Sequence, residues 1–447
     1  MATYVWFVPG FMGSTLSLYR TVGGARTSDP PLARLWGSVQ SVLNVRRLDV
    51  LTLPGNLDPN TGIFADGLAA SALGGYTDFA TDMASRLPAG WAWVSWPYDW
   101  RLSARDVSRQ LATALETAQS QGNTNYVVGH SLGALVAWAA WAWLVADTRT
   151  NAMSRMLTFG GALYGANSTP ELFRENEDAM GQLSVLQSLL SGGPVGLLVY
   201  GTLGNPDNAV ANLIGVAETW PSLYDLFPDP TGSDDPTDVN RAIIWQPATW
   251  SAALVPPLAA LLSSEQSYFH TWLRTALNLP PPAVASHIVG AGLRTNGQVQ
   301  LAPSVTNPTN LLLAQTSSTL TPKQRRLIQL PYWTSQNAGD GRASVAQQRF
   351  PGYYSQWVGS LHGSMQNDPY VRNLIVPTLQ QPNPTQPVTP PFKNGPLWVP
   401  PPAAPIPPAQ LPPQPQLPLV TAIVVPSGPQ DNTPPAPVIR PRVGADP

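Results

Sequence analysis

The chain has 447 residues, 43% of them hydrophobic, with a net charge of −2 and only 11% charged side chains. That is enough apolar material for one large domain or two ordinary ones, and too little positive charge for a nucleic-acid-binding face. There is no cysteine, which excludes disulfides, thiolate metal sites and a cysteine nucleophile.

The first predicted strand is Thr3–Val8. Its apolar run ends at Pro9-Gly10, too short for a signal-peptide core, and no basic leader precedes it, so a cytoplasmic location is expected. Phe79, Met83 and Leu87 recur at four-residue spacing and predict a helix over Tyr76–Leu87. A strand follows at Trp91–Trp96. The next helix, Ser103–Gln119, opens on a capping serine and carries Leu111 and Leu115 on one face. Then a short apolar strand, Tyr126–Val128, meets Gly129-His130-Ser131-Leu132-Gly133, and an apolar run continues to Ala146. That is strand, sharp turn, helix, with a serine at the apex. The run from Leu132 to Ala146 is shorter than the roughly 18–20 residues a membrane span needs, and it reads as a buried helix. Further strands are predicted at Met156–Phe159 and His287–Ala291.

Strands alternating with helices imply an α/β fold, a mostly parallel sheet covered on both faces. The alternation breaks between about Gly165 and Pro282, which reads as an inserted helical cap. Its apolar clusters comprise Leu186, Leu189 and Leu190, then Val195 and Leu197–Val199, and later Trp220, Leu223, Tyr224, Leu226 and Phe227. Part of it is expected to wall an apolar pocket, the rest to pack on the core. From Pro377 to Pro447 the chain holds 24 of its 50 prolines. That tail is expected to be extended or disordered, and dispensable, with one apolar patch at Leu417–Val425 that can dock as a strand. The body is therefore residues 1–376.

A nucleophile elbow needs small residues two before and two after its serine, because strand and helix backbones pass too close for side chains. Ser131 meets that requirement. A serine nucleophile also needs a base, an orienting acid and oxyanion donors. The chain has four histidines. His130 sits within the elbow and points away from the serine; His287 opens a buried strand; His270 lies in the cap. His362, in a late loop, is the one that fits the order serine, acid, histidine. Asp340, between two glycines, is the single carboxylate between Gln266 and His362. The N–H of Leu132 is one expected oxyanion donor. The second is expected from the glycine-bearing loop after the first strand, at Phe11, with Met12 as the alternative.

Val8-Pro9-Gly10-Phe11-Met12-Gly13-Ser14 resembles the Val-Pro-Gly-x-x-Gly-Ser/Asn signature of the lecithin:cholesterol acyltransferase family, which includes related phospholipases and phospholipid:diacylglycerol acyltransferases. Trp96-Pro97-Tyr98-Asp99-Trp100-Arg101 is similar to that family's Pro-Tyr-Asp-Trp-Arg segment. Leu157–Gly165 resembles its Gly-x-Pro-x-x-Gly piece, and Ile288–Thr295 its late Tyr-Gly-x-Gly strand. The resemblance implies an α/β-hydrolase fold, with Ser131, Asp340 and His362 as triad and Phe11 and Leu132 as oxyanion donors, the same five positions. Two pieces depart from the pattern. Arg342 stands where the family's acid motif carries aspartate, so the local loop must differ. Ala162 and Leu163 replace proline and an aromatic.

The expected activity is serine-dependent acyl transfer on lipid-like acyl esters, to water or to an alcohol acceptor. No cofactor and no metal is expected. The cap is the surface expected to touch lipid. The alternative is a non-catalytic binding module on the same fold, with the proline-rich tail recruiting partners.

Overall fold

The computed structural model describes residues 2–37, 50–53, 60–70, 75–167, 169–170, 216–231, 245, 269–276, 282, 284–291, 293–295, 338–350 and 353–381. In chain order, β1 (Thr3–Val8) leads into an antiparallel excursion: β2 (Ser14–Val22), β3 (Ala25–Arg26), β4 (Ala33–Trp36) and β5 (Thr61–Leu68). Then come α1 (Thr77–Arg86), β6 (Trp91–Ser95), α2 (Ala104–Ser120), β7 (Thr124–His130), α3 (Leu132–Ala146) and β8 (Arg155–Phe159). The short α4 (Pro221–Asp225) precedes β9 (Ala285–Gly290), β10 (Leu293–Arg294), β11 (Ala338–Gly339), β12 (Tyr354–Val358) and α5 (Pro369–Gln380).

Six strands make one parallel sheet in the order β12-β9-β8-β7-β1-β6. Side chains alternate across it, as a strand's period of two requires. Trp6 and Val8 of β1 point to the face covered by α2 and α3, joining Leu111, Leu115 and Leu135. Val5 and Phe7 point to the opposite face, with Phe79 and Met83 of α1 and Val371 and Ile375 of α5. Helices on both faces of a parallel sheet make this an α/β-hydrolase fold.

The order also locates a crevice. From β1 the chain crosses to β6 on one side, and from β7 it continues to β8 on the other. Ligands in open parallel sheets lie outside the carboxyl ends of strands at such a reversal. Here those ends are Val8 and His130, with Val8 in register with Gly129.

The predicted strands and helices occur with shifts of one or two residues at most ends. Ser103 caps α2 by accepting the Arg105 N–H. The antiparallel excursion was not predicted. Its first strand buries Ser14, Thr15 and Ser17 beside Leu16, so polarity does not alternate along it. Thr15 and Tyr19 instead donate their hydroxyls to Asp66 of β5. The one local signal was Gly23-Gly24, both at positive φ, which turns β2 into β3.

The last helix runs four residues past Val376, through Pro377, to Gln380. A proline lacks an N–H, but the helix end is satisfied from outside. The buried Arg155 guanidinium donates to the carbonyls of Thr378, Leu379 and Gln381. The rest of the tail, including Leu417–Val425, lies outside the described residues. So do Leu186, Leu189, Leu190, Val195 and Leu197–Val199 of the cap region. Its described part packs inward: Trp220, Leu223, Tyr224, Leu226 and Phe227 are all buried in the core beside α3. No helix among the described residues is long and apolar enough to cross a membrane.

Candidate active site

Ser131 stands between β7 and α3 with φ 52° and ψ −124°, a backbone conformation that side-chain-bearing residues rarely adopt. The strain is held by close packing. A Cβ on Gly129 would lie 2.6 Å from Ala134 Cα, and one on Gly133 only 2.1 Å from the Val8 carbonyl oxygen. The helix therefore starts directly over the ends of β1 and β7 because both flanking positions lack side chains. Its N-terminal dipole favours negative charge at the serine.

His362 opens a short helical turn after β12. Its Nε2 lies 2.8 Å from Ser131 Oγ, and its Nδ1 lies 2.6 Å from Asp340 Oδ2. The carboxylate can only accept, so Nδ1 carries the proton and Nε2 presents its lone pair to the serine hydroxyl. Asp340 is fully buried. Its second oxygen accepts the N–H groups of Arg342 and Ala343, each at 2.9 Å. These bonds close a tight turn through Gly341 at φ 91°, so with Arg342 in place of the family's aspartate the loop is a turn wrapped around the Asp340 carboxylate. The His362 N–H also donates to the Asp340 carbonyl. Gln348, buried, holds the turn from behind, bridging Ala343 to both backbone groups of Gly290. A Cβ on Gly290 would lie 2.4 Å from Asp340 Cβ, which is why the strand is bare there.

The loop after β1 faces the serine. A Cβ on Gly10 would lie 3.0 Å from Ser131 Cβ. The Gly13 N–H donates to the Gly10 carbonyl and leaves Phe11 and Met12 at the tip of the turn. Met12 takes φ 59° and its carbonyl accepts the Trp36 indole N–H. The Phe11 ring packs on Trp100 and on Trp220 of the cap region. Leu132, the first residue of α3, has an N–H with no intrahelical partner. The Tyr-Asp-Trp-Arg segment fastens this loop. The Tyr98 hydroxyl donates to the Pro9 carbonyl, and the Trp100 indole to that of Ser14.

The other histidines are bound elsewhere. His287 accepts the Phe350 N–H at Nε2, so its Nδ1–H donates to Thr158 Oγ1. His270 donates Nε2–H to the Asp225 carbonyl. Burial pulls both below the usual imidazole range, His270 to about 4 and His287 to about 3. His130 does not reach Ser131 Oγ, but it is no bystander. Its Nδ1 is 2.6 Å from the Tyr76 hydroxyl and its Nε2 is 3.2 Å from the His362 carbonyl. Tyr76 and Gln348 escaped the sequence reading, because an isolated tyrosine at a helix start and a glutamine in a loop carry no motif.

The site's elements allow a defined chemistry. They supply a hydroxyl made nucleophilic by a neutral imidazole, a buried carboxylate to orient that imidazole, and backbone donors at a helix N-terminus.

A model of the lecithin:cholesterol acyltransferase family matches residues 89–184, which span β6, α2, the elbow and β8. Over that stretch the resemblance read from the sequence holds. No curated protein matches the chain in sequence. Among solved structures it is similar to a chain of the Tle4–Tli4 complex, at 12% identity and a TM-score of 0.48, covering 84% of this chain and 98% of that one. It is also similar to the Bacillus licheniformis lipase BlEst2 in its mature form, at 12% identity and a TM-score of 0.35, covering 85% and 92%.

Proposed function

We propose that this chain is a serine-dependent acyl-transfer enzyme for lipid-like acyl esters, with Ser131 as nucleophile, His362 as general base and Asp340 as the orienting acid. One observation carries the reading. The aligned bonds Asp340–His362–Ser131 fix the imidazole tautomer and deliver its lone pair to a serine held in a strained elbow. An ordinary structural serine needs neither the strain nor the partner. The family match over residues 89–184 supports ester chemistry on lipid substrates.

In the reaction, Ser131 Oγ attacks the ester carbonyl as His362 Nε2 takes its proton. The N–H groups of Phe11 and Leu132 receive the oxyanion, each worth about 10²–10³ in rate. The imidazolium then gives its proton to the departing alcohol, leaving the acyl group on Ser131. A second nucleophile, water or an acceptor alcohol, reverses these steps and frees the serine.

The test has two parts. A fluorophosphonate probe should label the chain at Ser131 and fail to label Ser131→Ala; absence of labelling would leave the binding-module alternative. Incubation with labelled phospholipid, first without and then with an alcohol acceptor, should release free fatty acid in the first case. New ester in the second marks a transferase; its absence marks a hydrolase.

A further inference from the structure

We propose that Tyr76 and His130 form a positioning relay that locks the oxyanion loop to the loop of the catalytic base, an inference that rests on the serine-enzyme reading above. The connection is a chain of three hydrogen bonds. The Gly10 N–H donates to the Tyr76 hydroxyl oxygen at 3.1 Å. The Tyr76 O–H lies 2.6 Å from His130 Nδ1, and His130 Nε2 lies 3.2 Å from the His362 carbonyl. The ends of the chain fix its direction. A backbone N–H can only donate and a carbonyl can only accept. The tyrosine must therefore pass its own proton to Nδ1, and the imidazole must carry its proton on Nε2. Donors aligned in one direction polarise one another and strengthen the whole.

The direction requires both groups to be neutral, and burial keeps them so. Tyr76 and His130 are nearly inaccessible, at 4% and 2% exposure. Desolvation pushes the Tyr76 hydroxyl well above its usual range. Desolvation, with the neighbouring His362, pushes the His130 imidazole well below its own. Aromatic packing holds the rings: His130 stacks on Phe159 at 4.5 Å, and Tyr76 lies against Phe7 at 5.2 Å.

What the relay fixes is the peptide geometry of the reaction. The Pro9 carbonyl and the Gly10 N–H belong to one planar unit. Tyr98 donates to one end of that unit and Tyr76 accepts from the other. The next unit carries the Gly10 carbonyl, bound by Gly13, and the Phe11 N–H proposed as oxyanion donor. At the far end, His362 is held through its N–H by the Asp340 carbonyl and through its carbonyl by His130. His130 also adjoins Ser131 in the chain. One buried pair thus ties the oxyanion, nucleophile and base loops, each of which comes from a different strand. Gly10 makes the approach possible, since a Cβ there would lie 2.8 Å from the Tyr76 hydroxyl oxygen.

The experiment uses the full chain, Tyr76→Phe, His130→Asn, the double variant and Ser131→Ala. Readouts are the rate of serine labelling by a fluorophosphonate, kcat and KM on p-nitrophenyl butyrate, and Tm. Tyr76→Phe keeps the ring and its packing and removes one oxygen. A loop set slightly wrong costs transition-state stabilisation more than substrate binding. Tyr76→Phe should therefore lower kcat and labelling rate by about 10- to 100-fold, with KM within about threefold. Tm should stay within a few degrees. The double variant should be no worse than the poorer single, because a relay is broken once. Tyr76→Phe within about threefold of the parent, or single effects that multiply in the double variant, overturns the relay. If the parent labels at Ser131 in the same series, that failure belongs to the relay alone. If the parent does not label, or Ser131→Ala labels equally, the serine reading fails and the relay with it.

Discussion

At the scale of single residues, the reaction proposed here turns on three side chains and a turn. Ser131→Ala should lower esterase turnover by about 10⁶ with folding unchanged, since triad members act as a unit. Residual activity within tenfold of the parent, on p-nitrophenyl esters, would remove the serine from the mechanism. Asp340→Asn tests the acid through a geometric argument. Asp340 Oδ1 is held by the N–H groups of Arg342 and Ala343, so the amide oxygen must take that place. The amide NH₂ then faces His362 Nδ1, forcing the proton onto Nε2 and away from the serine's needs. Turnover should fall by about 10⁴ with Tm nearly unchanged; a silent substitution would place the orienting acid elsewhere. The elbow and the late histidine were legible in the sequence, because Gly-x-Ser-x-Gly and an order along the chain are local facts. The turn around Asp340 was not, since its closure depends on Gln348 and on the bare Gly290 of a neighbouring strand.

At the scale of elements, two segments carry predictions. The tail boundary follows from Arg155 rather than from proline density. A chain cut after Gln381 should retain its Tm and activity. A chain cut after Val376 loses buried Leu379 and the carbonyls of Thr378, Leu379 and Gln381, stranding a buried guanidinium. That should cost about 3 kcal/mol in chemical denaturation. Equal stability of the two truncations would show that Arg155 finds other acceptors. The second segment is the cap region. Its residue Trp220 packs on Phe11, beside the proposed oxyanion donors, so an apolar wall starts at the reacting centre. Rates should rise with acyl length from acetyl to about octanoyl, as each buried methylene contributes up to ~0.8 kcal/mol. A flat or falling series would point to small esters instead.

For the whole molecule, buried titratable groups set how stability follows pH. His130, His270 and His287 have folded-state pKa values held down by burial, the latter two at about 4 and about 3. Below about pH 6.5 the unfolded chain binds protons that these imidazoles refuse, so stability falls as pH falls. Asp225 and Glu218 act in the opposite sense, pushed up by burial to about 8 and about 7. The folded chain keeps protons there that the unfolded chain releases above about pH 4, so stability falls as pH rises. Between these limits three imidazoles outweigh two carboxyls; above pH 6.5 only the carboxyls act. Urea midpoints measured from pH 4.5 to 8 should peak near pH 6.5, and Asp225→Asn should flatten the alkaline side. A midpoint still rising at pH 8 would contradict this account.

The sequence by itself determined the parallel α/β core, because strands buried on both faces read as short apolar runs and their covering helices carry a 3.6-residue period. It also determined the serine's setting, because an elbow is built from five consecutive residues. Only the tertiary structure decided which groups surround that serine. The antiparallel excursion buries serine and threonine, and Thr15 finds its acceptor, Asp66, on a strand far along the chain. The helix through Pro377 ends on Arg155, more than two hundred residues earlier, which donates to its last carbonyls. The Tyr76–His130 connection joins loops from three strands that meet only where the sheet reverses its order. Hydrogen bonds between residues far apart in sequence leave no periodicity along the chain, and it is those bonds that set the geometry of the site.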